Sequence, residues 1–240
     1  MRLIYLLKIK SNYKLFYYYL RYRLFYIFNR FIVKKINNKF RNYLKSKNIT
    51  YDFFTPNTYD WLATLKDYKN KKMNYLEIGS FEGVSAILIA LNFDKAIINC
   101  VDPWENINDQ KSSEGYEHLS MTNIEKNFDM NTHEFLDKIK KNKLRSKDFF
   151  FNNCFKFDVI FIDGSHKAKD VQDDCLNSWK NLKDNGIMII DDYFWQNYAK
   201  INDNPAYGIN SFLKEIKNEY QILKLTKFQL HIKKNNKKCN

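Results

Sequence analysis

Apolar and polar positions change rhythm along this chain. From Met73 onward, short apolar runs alternate with longer stretches of mixed polarity. The runs at 75–78, 96–101, 158–162 and 187–190 read as buried strands, because each is brief and flanked by turn residues. Between them the spacing predicts helices at 84–91, 122–128, 132–141 and 167–182, and a last one at 206–220 with Pro205 at its start. Strands that alternate with helices predict an α/β fold with a parallel sheet. Asn185-Gly186 is expected to close the helix ending near Leu182, at the left-handed position that Asn and Gly tolerate. Two final β-like runs, 221–225 and 228–232, are joined by a turn of about two residues and are expected to pair antiparallel. A polar excursion occupies 106–120.

Ahead of this alternation the pattern is different. Residues 1–45 hold twelve Lys and Arg and no acid, the first acid being Asp52, so most of the formal net charge of +13 belongs to an arm. We expect a basic, aromatic-rich helical arm over 1–48 and an α/β domain over 49–240. The apolar run from Leu3 to Leu7 is too short for a signal peptide, and Arg21, Arg23 and Arg30 interrupt any spanning window. On a helical projection the charges fall into two rows instead of one polar face. Three uses of the arm stay open: peripheral contact with an anionic membrane through 1–45, nucleic-acid contact through charge and stacking, or a helical subdomain with solvated charges. The four cysteines are scattered without a Cys-x-x-Cys spacing, which suits a reducing cytoplasm and argues against zinc or disulfides.

The densest chemistry follows the strand at 75–78. In Leu76-Glu77-Ile78-Gly79-Ser80-Phe81-Glu82-Gly83 the strand ends beside a carboxylate, turns through two glycines and enters an apolar helix. Backbone brought this close to the carboxyl end of a parallel strand makes room for a nucleotide-like ligand. The middle glycine of dinucleotide-binding turns and the lysine of phosphate loops are both missing, so a pyrophosphate is not indicated. Asp102 ends the next strand, where an acid can accept hydrogen bonds from ribose hydroxyls, although Val-Asp-Pro-Trp is also good turn chemistry. Trp104 is a candidate wall for a base ring, or a core tryptophan.

Further on, Phe157-Asp-Val-Ile-Phe-Ile-Asp-Gly-Ser-His166 places Asp163 and His166 just past a strand, and Ile-Ile-Asp191-Asp192 repeats the arrangement. Three clustered carboxylates repel one another unless a proton, a cation or a basic side chain intervenes, and all-oxygen ligation suits Mg²⁺ or Ca²⁺. The plainer alternative is that one acid caps a loop and the others are solvated. His166, entering a helix, is either a general base or a loop hydrogen-bonding residue. His118, His133 and His231 have no comparable setting and read as structural or surface residues.

Taken in order, these motifs resemble the class I S-adenosylmethionine-dependent methyltransferases, and most of all the branch with an Ile-Asp-Gly-Ser-His strand end, similar to O-methyltransferases of sugars and small molecules in polysaccharide biosynthesis. The resemblance covers roughly 50–233. It implies a Rossmann-like, doubly wound, seven-stranded sheet with the last strand antiparallel. It implies that Glu77 and the turn Gly79, Ser80, Phe81, Gly83 hold the methionine end of S-adenosylmethionine, that Asp102 holds the ribose, and that Ser146 lines the pocket. It also implies Mg²⁺ on Asp163, Asp191 and Asp192; relatives that place a basic Asp two residues after the first ligand have Ser165 in its place here, followed by His166. The acceptor is then a small molecule or glycan, in some versions lipid-linked. Asn/Asp-Pro-Pro-Tyr/Phe, the signature of amino-group methylases on nucleic acid, does not follow the central strand. The alternatives are a nucleic-acid methyltransferase, against which that missing signature weighs, and a cofactor-binding module without catalysis, recruited to membranes by the arm.

Overall fold

The computed structural model of the protein describes residues 2–9, 13–105 and 120–236. The excursion expected at 106–120 therefore lies, apart from Ser120, outside the described residues, and His118 with it. The helices are α1 (Arg2–Lys8), α2 (Tyr13–Leu44), α3 (Thr58–Thr64), α4 (Val84–Asn92), α5 (Met121–Thr132), α6 (Ser146–Asn152), α7 (Ala168–Asn181) and α8 (Pro205–Glu215). The strands are β1 (Met73–Ile78), β2 (Ala96–Val101), β3 (Ile139–Asn142), β4 (Phe157–Ile162), β5 (Leu182–Ile190), β6 (Tyr220–Leu225) and β7 (Leu230–Lys234). They form a seven-stranded sheet in the order β3-β2-β1-β4-β5-β7-β6. The pairs β1–β2, β2–β3 and β4–β5 are parallel, and β7 is antiparallel to both β5 and β6. This is the doubly wound α/β fold with an antiparallel end, preceded by helices. The chain groups into two compact units, Asn29–Phe149 and Met1–Phe28 with Phe150–Asn240.

In the first unit β1 runs in register with β2, Glu77 opposite Cys100 and Ile78 opposite Val101. The helix α4 follows the glycine turn, and its residues Val84 to Ala90 are all buried, so its apolar composition all round reflects burial on every side. The helix expected at 132–141 is instead a 3-10 turn, His133–Phe135, followed by strand β3. Only Ile139 of β3 is buried, and its two lysines suit the edge of a sheet, which is why the hydrophobic pattern does not reveal it. The second half of α2 buries Val33, Phe40 and Leu44. Asn37 ties it to the start of α3, donating to Pro56 O at 2.9 Å just ahead of that helix and accepting from Tyr59 N in its first turn at 3.0 Å.

In the second unit α7 ends without the left-handed cap expected at Asn185-Gly186. Leu182 is already extended and pairs with Phe157, so the strand begins directly after the helix. The left-handed residue Asn185 (φ 61°) belongs to an irregularity within β5, before Ile187 pairs with Val159. At the end of α7 Trp179 O accepts from Leu182 N and from the buried Lys234 of β7 at 2.8 Å, and the same lysine donates to Leu182 O at 3.0 Å. The terminal hairpin is antiparallel as expected, but its loop is longer, held by Thr226 Oγ1, which accepts from Phe228 N and Gln229 N. At the front of the chain, Tyr5 and Tyr19 pack on Phe194 with ring centroids 6.3 and 5.0 Å away.

The helices α7 and α8 touch backbone to backbone. A Cβ added to Gly208 would lie 1.9 Å from Ala168 O, where no adjustment of a side chain can make room. Gly208→Ala is therefore expected to destabilise the protein by about 2–3 kcal/mol, as forced overpacking does. Urea unfolding measures this directly, and an unchanged midpoint would show that the two helices do not meet there.

His231, on β7 opposite Ile189 of β5 and Lys224 of β6, is fully buried. Burial, with Lys224 adding to it, holds its imidazole well below the ordinary histidine range. The unfolded chain takes up a proton near about pH 6.5 that the folded state refuses. Its contribution to stability is thus present above that pH and is lost as pH falls, by up to about 1.4 kcal/mol per pH unit. Buried carboxyls with raised values act in the opposite sense, so the informative quantity is the difference between the protein and His231→Gln. That difference should shrink in favour of the variant on acidification; parallel stability curves would refute the assignment.

Candidate active site

The first unit supplies a buried carboxylate and a tight turn. Glu77 is fully buried; its Oε2 accepts from Tyr75 OH at 2.9 Å and from Ser85 Oγ at 2.8 Å. Its Oε1 has no hydrogen-bond partner, and neither has the buried Oγ of Ser80. A buried carboxylate oxygen without a full hydrogen bond costs free energy, and among the described residues only the Ser80 and Cys100 side chains stand near enough to act on it. Burial raises the Glu77 carboxyl above the usual carboxylate range, against the lowering effect of the surrounding hydroxyls.

The turn after β1 takes three left-handed residues, Gly79 (φ 86°), Phe81 (φ 47°) and Gly83 (φ 82°). Phe81 lacks the freedom of glycine, so something must hold it. Asp102 does so from the end of β2. Its Oδ2 accepts from Ser80 N and Phe81 N, both at 3.0 Å, and its Oδ1 accepts from Trp104 N at 2.7 Å. The Trp104 indole donates to Phe81 O at 2.9 Å and lies against Phe128, closing the loop over the turn. Burial raises the Asp102 carboxyl, and the three amides lower it. Glu82, also buried, accepts from Thr50 N and Asn127 Nδ2, both at 2.7 Å, and so fixes the turn to the chain before α3 and to α5.

The second unit gathers Asp163, His166 and Asp192, whose donor atoms lie within 4.8 Å of one another. His166 Nε2 donates to Asp192 Oδ2 at 2.7 Å, and the imidazole stacks on Trp195 with 4.8 Å between centroids and planes 5° apart. Asp192 itself is left-handed (φ 59°). Asp191 faces elsewhere: Oδ2 accepts from Gln229 Nε2 at 2.7 Å and Oδ1 from Asp192 N at 2.7 Å. Its carboxyl is pushed up to about 7, chiefly by burial and then by the charge of Asp192.

Of the three acids expected to hold a metal, the structure brings two together, Asp163 and Asp192. The third corner is His166, and Asp191 is engaged by Gln229. Glu77, Gly79, Ser80, Phe81, Gly83, Asp102 and Trp104 come together in the turn at the ends of β1 and β2, and Ser146 opens α6 after β3. Sequence reasoning did not single out Tyr75, Ser85, Glu82, Gln229 and Trp195. Tyr75 was within reach, since residues two apart share a strand face. The antiparallel neighbour that presents Gln229 leaves no local signal.

A parallel sheet with an antiparallel end, an acid-bearing glycine turn after β1 and a second acid after β2 define the class I S-adenosylmethionine-dependent methyltransferase fold. Residues 76–193 match the family model described as a methyltransferase domain. The structure is similar to MycE, a methyltransferase of the mycinamycin biosynthetic pathway in complex with Mg, S-adenosylhomocysteine and mycinamycin VI (14% identity, TM-score 0.58, 85% of this chain and 54% of that one). It is also similar to the O-methyltransferase TomG of Streptomyces achromogenes, involved in tomaymycin synthesis and in complex with S-adenosylmethionine (12% identity, TM-score 0.57, 85% and 89%). A third is the O-methyltransferase of Bacillus cereus in complex with S-adenosylhomocysteine (15% identity, TM-score 0.51, 83% and 89%). The chain spans about half the length of MycE. Comparison with curated protein sequences finds no match.

Proposed function

We propose that the protein transfers the methyl group of S-adenosylmethionine to a hydroxyl of a sugar or another small hydroxylated acceptor. The observation that carries this reading is the His166–Asp192 pair beside Asp163, an oriented base of the kind an oxygen nucleophile needs. The cofactor fits the first unit by its chemistry: the unpartnered Glu77 Oε1 is suited to the ammonium group of the methionine end. Asp102 Oδ1, which accepts from Trp104 N, keeps lone-pair capacity for a ribose hydroxyl, whereas Oδ2 is taken by the Ser80 and Phe81 amides.

Displacement at a sulfonium methyl needs alignment and a nucleophile relieved of its proton. Oriented by Asp192, the His166 imidazole is placed to take the proton of the attacking hydroxyl. Trp195 stacking keeps the ring from turning. The oxygens of Asp163 and Asp192 suit Mg²⁺, whereas an imidazole is a donor that Mg²⁺ seldom selects, which leaves His166 its role as base. Bound there, the cation would lower the pKa of an acceptor hydroxyl. The Mg in the MycE complex supports this version.

The test has two stages. Calorimetric titration with S-adenosylhomocysteine should show binding, and failure of the purified protein to bind overturns the cofactor reading. Methyl-labelled S-adenosylmethionine is then offered with pools of hydroxylated acceptors, with Mg²⁺ or with EDTA. Label should enter a sugar-type pool. Transfer to amino-group acceptors alone would overturn the O-methylation reading, and transfer indifferent to EDTA would overturn the metal.

A further inference from the structure

The long helix α2 has two apolar faces. One is buried and carries Leu15, Tyr19, Tyr22, Val33, Phe40 and Leu44. The other is exposed: Tyr13, Tyr17, Leu20, Leu24, Ile27 and Phe31, with Tyr13 78% and Phe31 73% accessible. These six recur at alternating steps of four and three, so at 3.6 residues per turn they occupy a stripe about 80° wide, on the side opposite the buried face. Phe28, 82% exposed, borders it. Seven of its eight exposed cations form two rows along its flanks, Lys14, Arg21 and Lys39 on one side and Arg23, Arg30, Lys34 and Arg41 on the other, and Lys35 follows the end of the stripe beyond Phe31. The two charge rows in the sequence are thus the boundaries between two apolar stripes, and the opposed stripes cancel in any measure that seeks a single apolar side.

A stripe of alternating four and three steps is also what a second helix would pack against. Its flanks decide against a second copy of this chain. α2 contains eight Lys and Arg and no Asp or Glu, so two such helices, parallel or antiparallel, would set cation against cation along the whole seam. The same pattern suits a surface that is apolar inside and anionic outside. Aromatic and aliphatic side chains enter at headgroup depth while the flanking Lys and Arg stems extend upward to phosphate. Among the described residues no helix is long and apolar enough to cross a membrane, so the contact is lateral.

We propose that the exposed face of α2 docks on the surface of an anionic phospholipid membrane, with the helix lying in the interfacial plane. Charge and apolar burial act together here: Lys and Arg supply attraction to acidic headgroups, and the stripe supplies the residence time. The docking does not depend on methyl transfer.

The experiment is flotation of the full chain with phosphatidylcholine vesicles, with or without phosphatidylglycerol, and sedimentation of the chain alone. The protein should float with the anionic vesicles and remain behind with the neutral ones. Leu24→Ser, Ile27→Ser and Phe31→Ser together should weaken that binding by about 100-fold and leave the melting temperature and S-adenosylhomocysteine binding unchanged, because all three residues are exposed. Arg21→Glu with Arg30→Glu should weaken it comparably at low salt. No flotation with the anionic vesicles overturns the proposal. So does flotation that the triple serine variant does not reduce, since charge alone would then account for it. A dimer dissolved by the serine variant would show that a second copy covers the stripe, and binding of short single-stranded RNA in place of vesicles would show a nucleic-acid face. Either result would replace the membrane.

Discussion

Exchange of His166 for glutamine is expected to lower kcat by roughly 10²–10⁴, the usual worth of a positioned general base, while the affinity for S-adenosylhomocysteine stays as it was. The argument rests on division of labour. His166 touches Asp192 and Trp195, and none of the groups around Glu77 or Asp102 depends on it. Glutamine keeps polarity and approximate size, so the stack on Trp195 is largely retained and the loss reports proton transfer. An unchanged melting temperature separates this from a structural role. Asp192→Asn should lower kcat as well, because asparagine can no longer draw the Nε2 proton and fix the tautomer. If His166→Gln turned over a true acceptor at close to the parent rate, another group would be the base.

The second large effect falls on the cofactor. Glu77→Gln should weaken S-adenosylhomocysteine binding by about 100-fold, in keeping with removal of one partner from a desolvated charge pair. The same change should leave the protein as stable as before, or more so. Glu77 is held as a buried carboxyl with one oxygen unpartnered, an arrangement that costs about 1–3 kcal/mol. Glutamine can still accept from Tyr75 and Ser85 without the charge. The sign with pH follows from the direction of the shift. A carboxyl raised by burial contributes folding stability at low pH and loses it as pH rises through its folded value, whereas binding of an ammonium group needs the charged form. Cofactor affinity should therefore fall on acidification, beginning above the ordinary carboxylate range, and Glu77→Gln should abolish that dependence. Calorimetry at several pH values measures both. A variant that bound normally would exclude Glu77 from the site.

The buried strands were legible because they are short and apolar. β2 falls at 96–101, where the pattern puts it, and β1, β4 and the helix after the glycine turn differ only at their ends. β3 was not legible: Ile139-Lys-Lys-Asn at a sheet edge buries one side chain, and four residues with one apolar position carry no periodicity. The end of α7 was misread because Asn185-Gly186 is a strong local signal, whereas the lysine that satisfies the helix end comes from β7, some fifty residues on. The site divides in the same way. The placement of acids after strands could be read from the chain. The partners of each acid could not, because Gln229 reaches Asp191 through an antiparallel pairing and His166 reaches Asp192 across two loops. Local chemistry is written locally, and the third corner of a cluster is set by tertiary structure.

The turn after β1 is closed by Asp102 through three backbone amides that belong to the chain itself. Its left-handed residue, Phe81, is held by those contacts, so the clasp and not the ligand supplies its order. Association with the cofactor then carries little entropic penalty from this segment, and its rate should approach that of a rigid receptor. Weakening the clasp shifts that ordering from the folding step to the encounter, and the kinetics of ligand capture would register it before any catalytic constant does.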